Sequence, residues 1–190
     1  MSQPATVSVV IPARNAEATI ARAIASALSQ SVPPLEIIVI DDASTDMTAV
    51  RALAAGGPLA RIITQATRSG AAAARNAGVV AARGAFVAFL DADDVWDSAK
   101  TERQLAVMRR NQAISFCACR ARHVAEDGSA IGPIHGGVPV ATGPEAWRAL
   151  LAENFIATPC VLARRAVVVA AGGFDPSLPV AEDQDLWIRL

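Results

Sequence analysis

Three short apolar runs, each closed by a polar loop, constrain the fold of this chain more than any other feature. The runs are Val7 to Ile11, Glu36 to Ile40 and Phe86 to Leu90. Such runs are typical of strands that are buried on both faces of a parallel sheet. Between them, apolar residues recur at a helical period, as from Ile20 to Leu28. The alternation predicts an α/β protein with a mostly parallel central sheet and helices on both faces.

The same patterns set the expected boundaries of the other elements. Asn15 is expected to cap the first helix, because its side chain suits that position. A hairpin-like turn is expected at Asp127-Gly128, and a loop over the site at 132–143. The helical period at 185–190 has no capping residue after it, so we expect the chain to be cut within a helix. We expect further helices at 48–55, 71–82, 100–110, 146–153 and 165–171, and further strands at 61–64, 114–121 and 158–162.

Charge and composition exclude several classes of protein. Seventeen basic and eighteen acidic residues leave a net charge of -1, which argues against an electrostatic grip on nucleic acid or anionic lipid. No segment approaches the ~18 apolar residues of a membrane span, and the N-terminus lacks the basic region of a signal peptide. Cys117, Cys119 and Cys160 lack zinc-ligand spacing. We expect them to be small buried hydrophobes in a reducing cytoplasm.

Two acidic loops follow predicted strands. The loop DDASTD begins at Asp41, and the loop DADD begins at Asp91. Because the carboxyl ends of parallel strands meet at one edge, where open α/β sheets bind ligands, these carboxylates are expected to lie close together. Crowded carboxylates repel one another unless a cation or hydrogen-bond donors separate them. The pattern therefore predicts a Mg²⁺ or Mn²⁺ site whose coordination is completed by a substrate phosphate, and it leaves the phosphate compound open.

Several other nucleotide and phosphate sites are disfavoured by the sequence. It contains no GxxxxGK[ST] loop, no GxGxxG fingerprint and no GxSxG elbow. A receiver domain of a response regulator also has an acidic pair and a later Asp, but it needs a lysine after a later strand. The only lysine, Lys100, lies just beyond the DADD loop. The receiver-domain alternative therefore rests on similarity of fold alone, because the lysine that its site requires does not follow a later strand.

Five segments in order closely resemble the family 2 glycosyltransferases of the GT-A fold, over almost the whole chain. They are SVVIPARN, EIIVIDDASTD, AAARNAGVVAARGAFVAFLDADD, GGFD and AEDQDLWIRL. The resemblance implies a Rossmann-like GT-A sheet with a small acceptor-side extension. It also implies transfer of a sugar from a nucleoside diphosphate donor, usually a UDP-sugar, to an acceptor hydroxyl with inversion at the anomeric carbon.

The resemblance also implies roles for individual residues. Asp91 and Asp93 match the DxD pair, with Asp91 towards the ribose and both near the metal, Mg²⁺ or Mn²⁺. Asp183 matches the general base, which a hydroxyl acceptor needs because its proton is lost during attack. Without the family match, Asp183 reads as a helix cap. Nucleotide contacts are implied for Pro12, Arg14, Asn15 and Asp42, with a further contact from either Arg68 or Arg75.

The resemblance divides the chain into two halves of one domain. Residues 1–97 are expected to bind the nucleotide-sugar, and residues 98–190 to form the acceptor side, truncated at its C-terminus. We expect a cytoplasmic protein, at most peripherally associated with the inner face of the membrane, that does not bind nucleic acid. Two alternatives stay open: a sugar-nucleotide-binding module without catalysis, and a sugar-1-phosphate nucleotidyltransferase, although PARNAEA is a poor match to the basic Gly-rich loop of the latter.

Overall fold

A computed structural model describes residues 5–125, 129–136, 143 and 145–190 of the chain. Within these residues the strands and helices alternate through the first half, as the sequence predicts. The strands are β1 (Val7–Ala13), β2 (Glu36–Asp41), β3 (Ala60–Thr64), β4 (Phe86–Phe89), β5 (Phe116–Ala118), β6 (Ala121–Val124), β7 (Ala130–His135) and β8 (Val161–Arg164). The helices are α1 (Ile20–Leu28), α2 (Thr48–Gly56), α3 (Ala71–Ala81), α4 (Lys100–Arg110), α5 (Ala146–Ala152), α6 (Arg165–Ala170) and α7 (Glu182–Arg189).

The central sheet has six strands in the order β3-β2-β1-β4-β8-β5. The first four strands are parallel, and β8 runs antiparallel to both of its neighbours. The strand order reverses between β1 and β4, because the chain builds outward through β2 and β3 before returning to β4. Ligands of open α/β sheets bind beyond the carboxyl ends of the strands at such a reversal. The mostly parallel α/β sheet of the sequence prediction is confirmed.

Alternate residues of the central strands enter two different apolar layers. On one face, Val9, Ile11 and Val39 pack with residues of α1, α2 and α4. On the other, Val10 and Ile38 pack with residues of α3, α5, α6 and α7. Helices therefore cover both faces of the sheet, which explains why the central strands are continuously apolar instead of alternating with polar residues.

The N-terminus of the first helix differs from the sequence prediction. Helix α1 begins at Ile20, with Thr19 in the preceding position, so Asn15 does not cap it. Asn15 instead adopts a left-handed backbone with φ 48°, and its side chain accepts a hydrogen bond from the backbone of Thr45. An asparagine tolerates this conformation, and its side chain readily forms hydrogen bonds with nearby backbone. Here that hydrogen bond stabilises a loop and not the N-terminus of a helix.

The second half shows the other differences. The single strand expected at 114–121 is divided into β5 and β6, because the chain leaves the central sheet and pairs β6 with β7. Strand β7 occupies part of the loop expected at 132–143, and 137–142 and Asp127-Gly128 lie outside the described residues. The strand expected at 158–162 begins with a 3-10 turn at Thr158–Cys160. Cys119 is exposed, not buried as expected.

In the described part of the chain, none of the helices combines the length and the apolar composition that crossing a bilayer requires. The finding agrees with the absence of a spanning run in the sequence.

A substitution at Gly78 tests the packing of α3 on β1. A Cβ atom at Gly78 would lie 2.2 Å from Cγ1 of Val10, a fully buried residue of the central strand. We expect Gly78→Ala to lower the free energy of unfolding by about 1–3 kcal/mol through overpacking, despite the better helix propensity of alanine. Urea unfolding measures the change.

The matched control is Val80→Ala on the same helix, where the side chain is 78% exposed. It should change the free energy of unfolding by no more than about 0.5 kcal/mol. If Gly78→Ala is as stable as the unsubstituted protein, the close contact between α3 and β1 is wrong.

Candidate active site

A cleft of about 560 Å³ opens at the carboxyl edge of the sheet, beside β1 and β4. Three of its walls are the loops that follow β1, β2 and β4, and the fourth is the segment before α3. Its lining contains eight of the nine site residues expected from the resemblance, Asp183 being the ninth. The lining residues are Pro12, Ala13, Arg14, Asn15, Ala16, Thr19, Asp42, Arg68, Gly70, Ala71, Ala74, Arg75, Asp91, Ala92 and Asp93.

The loops after β1 and β2 are tied to one another by hydrogen bonds. The backbone N–H of Asn15 donates to the hydroxyl of Ser44 at 3.0 Å, and the Asn15 side chain accepts from the N–H of Thr45 at 2.9 Å. One residue on, the N–H of Ala16 donates to Oγ1 of Thr48 at 2.7 Å. Loops held in this way need little reorganisation when a ligand binds, which favours affinity.

Asp42 organises the fourth wall of the cleft. Its carboxylate accepts the N–H groups of Ser69 at 2.6 Å and Gly70 at 3.0 Å, and also the Ser69 hydroxyl. Burial alone would raise the pKa of Asp42, but these hydrogen bonds and the nearby charge of Arg14 hold it below its ordinary value. Asp42 is therefore an ionised group that fixes the segment carrying Arg68.

The two arginines that the resemblance left as alternatives have different surroundings. Arg75 is buried, and both of its terminal nitrogens are bound to carboxylates. Arg68 is exposed, and no hydrogen bond or ion pair of its side chain is found within the described residues. Arg14 donates to the backbone carbonyl of Asp42 at 2.9 Å. Of these three cations in the cleft, Arg68 is the one available to an anionic ligand.

The DADD loop carries three carboxylates, and two of them, Asp91 and Asp93, line the cleft. Asp91 accepts from Arg75 at 2.9 Å, whereas the carboxylate of Asp93 is exposed and has no partner among the described residues. Desolvation, together with the charges of Asp91 and Asp93, raises the pKa of Asp94 to about 6. Mutual repulsion of this kind is relieved by a cation.

Arg75 joins the DADD loop to helix α7. Its Nη2 donates to Asp91 and its Nη1 to Glu182, both at 2.9 Å, and the guanidinium lies 5.5 Å from the ring centre of Phe174. Asn76, the next residue, exchanges two hydrogen bonds with the backbone of Phe174, at 2.7 and 2.8 Å. Two adjacent side chains of α3 thus attach the C-terminal segment to the first half of the chain.

Asp183 follows Glu182 in the first turn of α7. Its Oδ2 accepts from the hydroxyl of Thr158 at 2.9 Å, and its Oδ1 accepts from the side-chain amide of Asn154 at 3.2 Å. The residue before this turn, Ala181, has a left-handed backbone with φ 61°, which is uncommon for a residue other than glycine. These hydrogen bonds hold the start of α7, and Asp183 directly follows Glu182, the residue that pairs with Arg75.

Sequence reasoning missed the residues that support the site. Glu182, Asn154, Thr158 and Asn76 were given no role, because their contacts join positions 25 or more apart in the chain. Only the dipeptide Arg75-Asn76 carried a signal, since a charged and an amide side chain interrupt an alanine-rich helix. Such residues need long-range partners when buried.

The sequence pattern of the family described as Glycosyl transferase family 2 matches residues 8–170. That range contains both acidic loops and, except for Val7 at the start of β1, all strands of the central sheet. The chain belongs to glycosyltransferase family 2. This membership argues against the receiver-domain and nucleotidyltransferase alternatives.

Two curated relatives of this glycosyltransferase are bacterial proteins. The chain is 41% identical over 110 residues to the UDP-Glc:alpha-D-GlcNAc-diphosphoundecaprenol beta-1,3-glucosyltransferase WfgD of Escherichia coli, a match that covers 58% of the chain and 43% of WfgD. It is also 41% identical over 113 residues to the putative teichuronic acid biosynthesis glycosyltransferase TuaG of Bacillus subtilis, covering 58% of the chain and 45% of TuaG. The chain thus spans less than half the length of these relatives.

Solved structures share the fold of this glycosyltransferase. TarS of S. aureus in complex with UDP superposes with a TM-score of 0.69 at 25% identity, over 95% of this chain and 53% of that one. The mannosyltransferase PcManGT of Pyrobaculum calidifontis, solved with GDP-Man and Mn²⁺, gives 0.69 at 23% identity, over 95% and 50%. The expected GT-A fold is confirmed.

Replacing Arg75 tests how far the site depends on its two ion pairs. Arg75→Met keeps much of the buried stem and leaves Asp91 and Glu182 without their cation. We expect the free energy of unfolding to fall by about 3 kcal/mol, since removing one partner of a buried pair leaves uncompensated charge. Chemical unfolding measures the loss.

Arg148→Met is the matched control, because Arg148 pairs with Glu145 while both side chains are largely exposed. Its expected effect is within about 1 kcal/mol. Equal effects of the two substitutions would show that the Arg75 pairs do not stabilise the fold.

Proposed function

We propose that this chain is the catalytic part of an inverting glycosyltransferase that transfers a sugar from a UDP-sugar to an acceptor hydroxyl in the synthesis of a cell-surface polysaccharide. One observation carries the proposal: the cleft where β1 and β4 end presents a cation, Arg68, and a carboxylate, Asp93, whose side chains have no partner in the part of the chain that the structure describes. A nucleoside diphosphate with a divalent metal needs both kinds of group. The other charged groups of the cleft are already bound within the protein.

The nucleotide contacts follow from which charged groups of the cleft are free and which are already bound within the protein. Asp42, ionised and held by Ser69 and Gly70, accepts the N–H of uracil. Pro12, Arg14 and Asn15 form the adjoining wall, and Asp91 faces the ribose. Arg68 is assigned to the diphosphate, because an exposed guanidinium binds phosphate oxygens in a bidentate manner. Arg75 is a positioning residue, since its terminal nitrogens are committed to Asp91 and Glu182.

The donor set suits Mg²⁺ or Mn²⁺. Asp93 and Asp91 would hold the ion. Desolvation by burial is the main cause of the raised pKa of Asp94, and the charges of Asp91 and Asp93, which a cation would offset, add to it. Among the described residues no group of three or more His, Cys, Asp or Glu side chains forms a complete metal site. The remaining ligands would therefore come from water and the diphosphate. When bound, the metal neutralises charge on the departing nucleoside diphosphate.

Asp183 is assigned as the general base. Thr158 and Asn154 orient its carboxylate, which takes the proton of the acceptor hydroxyl as the oxygen forms its bond to the anomeric carbon. The bond from that carbon to the phosphate oxygen breaks in the same displacement, and UDP leaves with the electron pair. A single displacement inverts the anomeric carbon, so no enzyme nucleophile is required.

The names of the relatives support the same class of reaction. Two E. coli relatives are UDP-glucose transferases acting on a lipid diphosphate, and a Rhizobium relative is a succinoglycan biosynthesis protein. We extend this to a UDP-sugar donor and a hydroxyl acceptor for this chain. A cytoplasmic protein at the inner face of the membrane fits such acceptors.

Calorimetry with UDP tests the nucleotide and metal site. We expect UDP to bind in the presence of Mn²⁺ and to bind at least about tenfold more weakly without it, which corresponds to ~1.4 kcal/mol. Asp93→Asn should remove this dependence on Mn²⁺, because it removes the unpaired carboxylate. Asp175→Asn removes a similar exposed carboxylate outside the cleft lining and should leave binding unchanged. Absence of metal-dependent binding in the unsubstituted protein would refute the proposed site.

Donor turnover tests the role of Asp183. Asp183→Asn is expected to lower kcat by about 10²–10⁴-fold, the usual contribution of a general base, while UDP affinity stays within about twofold. Thr158→Val, which removes only the hydroxyl that orients Asp183, should lower kcat less and also leave UDP affinity unchanged. If Asp183→Asn retains full turnover, another group is the base; if UDP binds but no donor turns over, the chain is a binding module.

A further inference from the structure

Cys119 and Cys160 face one another across the edge of the central sheet. The antiparallel register of β5 and β8 pairs Ala118 with Val161, and one step further it sets Cys119 opposite Cys160. The N–H of Cys119 donates to the carbonyl of Cys160 at 3.1 Å, as expected for directly opposed residues. Such residues have side chains on the same face and Cα atoms about 5.5 Å apart, which is within the range that a disulfide spans.

A buried cation lies beside these thiols. Lys100 is buried in the first turn of α4, where its ammonium group lies 4.1 Å from the ring centre of Trp96 and donates to Gln104 at 2.9 Å. Within the described residues it has no carboxylate partner at salt-bridge distance. The side-chain amide of Gln104 in turn donates to the carbonyls of Cys117 and Cys160. One positive charge thus faces the cysteines without a counter-ion.

The two thiols are unequal. A hydrogen bond from Cys160 and the charge of Lys100 lower the pKa of Cys119 below its ordinary value, although burial and the carboxylate of Asp97 oppose this. The same hydrogen bond, burial and the negative charges of Cys119 and Asp94 raise the pKa of Cys160. Cys119 is exposed and Cys160 is buried. Reagents in solution therefore meet the more acidic thiol first, and the thiolate is the reactive form.

We propose that Cys119 and Cys160 form a redox site that a hydroperoxide converts to a disulfide. With hydrogen peroxide, the Cys119 thiolate attacks one oxygen, an S–O bond forms, the O–O bond breaks, and the other oxygen leaves as water after protonation; an organic hydroperoxide would release the corresponding alcohol instead. Cys160 then attacks the sulfur of the sulfenic acid, an S–S bond forms, and a second water leaves. The two thiols are oxidised by two electrons and the peroxide is reduced by two.

The cross-link would lie close to the group that performs catalysis in the proposed function. Cys160 ends the 3-10 turn that begins at Thr158, whose hydroxyl binds Asp183. The middle residue of the turn, Pro159, accepts a hydrogen bond from the indole of Trp96 at 2.9 Å. A disulfide at Cys160 constrains this turn, so oxidation should lower donor turnover. This consequence, unlike the disulfide itself, rests on the proposed function.

The full chain treated with hydrogen peroxide, then alkylated and digested without reductant, tests the proposal by peptide mass. We expect a Cys119–Cys160 cross-link in the unsubstituted protein and in Cys117→Ser, with full reversal by dithiothreitol. Cys117 lies in β5, two residues before Cys119, which follows the strand; the two are about 6.6 Å apart if the chain stays extended, at the limit of disulfide geometry. Cross-links through Cys117, links between two chains, or irreversible oxidation of Cys119 alone would overturn the proposal.

Iodoacetamide labelling measures the reactivity of Cys119 separately. Its rate should depend on pH with a midpoint below the ~8.5 of a free thiol. Lys100→Met, which keeps the stem beside Trp96, should raise that midpoint and slow peroxide oxidation several-fold at neutral pH. An unchanged midpoint would show that the charge of Lys100 does not lower the pKa of Cys119. Circular dichroism verifies that the variant is folded.

Donor turnover before and after oxidation tests the link to Asp183. Peroxide should lower turnover of the unsubstituted protein and not that of Cys119→Ser, and dithiothreitol should restore it. A disulfide that forms without changing turnover would overturn the link. If the reduced protein has no turnover, the proposed function fails while the cross-link result stands on its own.

Discussion

The pair of salt bridges made by Arg75 is the interaction on which the rest of the site depends. A guanidinium is costly to bury unless its charge is matched, and here Asp91 and Glu182 match it at 2.9 Å each. These two carboxylates belong to segments 91 residues apart in the chain. The burial of one arginine therefore obliges the DADD loop and the start of α7 to lie together. An arginine suits this position because its planar group serves two carboxylates at once.

The sheet supplies the frame that this interaction joins. Parallel strands bring the loops after β1, β2 and β4 to one edge, and hydrogen bonds such as that from Ala16 to Thr48 hold two of them together. Most polar side chains of the cleft are thereby satisfied within the protein. Among the described residues, the exceptions are Arg68 and Asp93, to which the proposed function assigns the diphosphate and the metal. A site built in this way binds without much rearrangement, because its orientation is fixed before the ligand arrives.

Much of the fold follows from local pattern in the sequence. The buried strands and α4 were predicted because their periodicity is strong and their ends carry polar residues or proline. The acidic edge followed from the rule that carboxyl ends of parallel strands meet. Asn15 was assigned wrongly as a cap, because an asparagine that bonds backbone serves a loop equally well. The single strand expected at 114–121 failed because pairing partners, not local pattern, decide where β5 ends and β6 begins.

Contacts across long stretches of chain could not be predicted in the same way. The sequence left Arg68 and Arg75 as equal alternatives, and only burial and ion pairing separate them. Thr158 and Asn154 carry no motif, and their geometry towards Asp183 depends on the packing of the second half.

The stereochemistry of donor cleavage shows directly whether a single displacement takes place in this cleft. The chain is incubated with Mn²⁺ and a panel of α-linked UDP-sugars, with water as the acceptor, and proton NMR records the anomer of the sugar first released. A single displacement predicts that the β anomer is released first from one member of the panel. First release of the α anomer, or no cleavage of any donor, would contradict it.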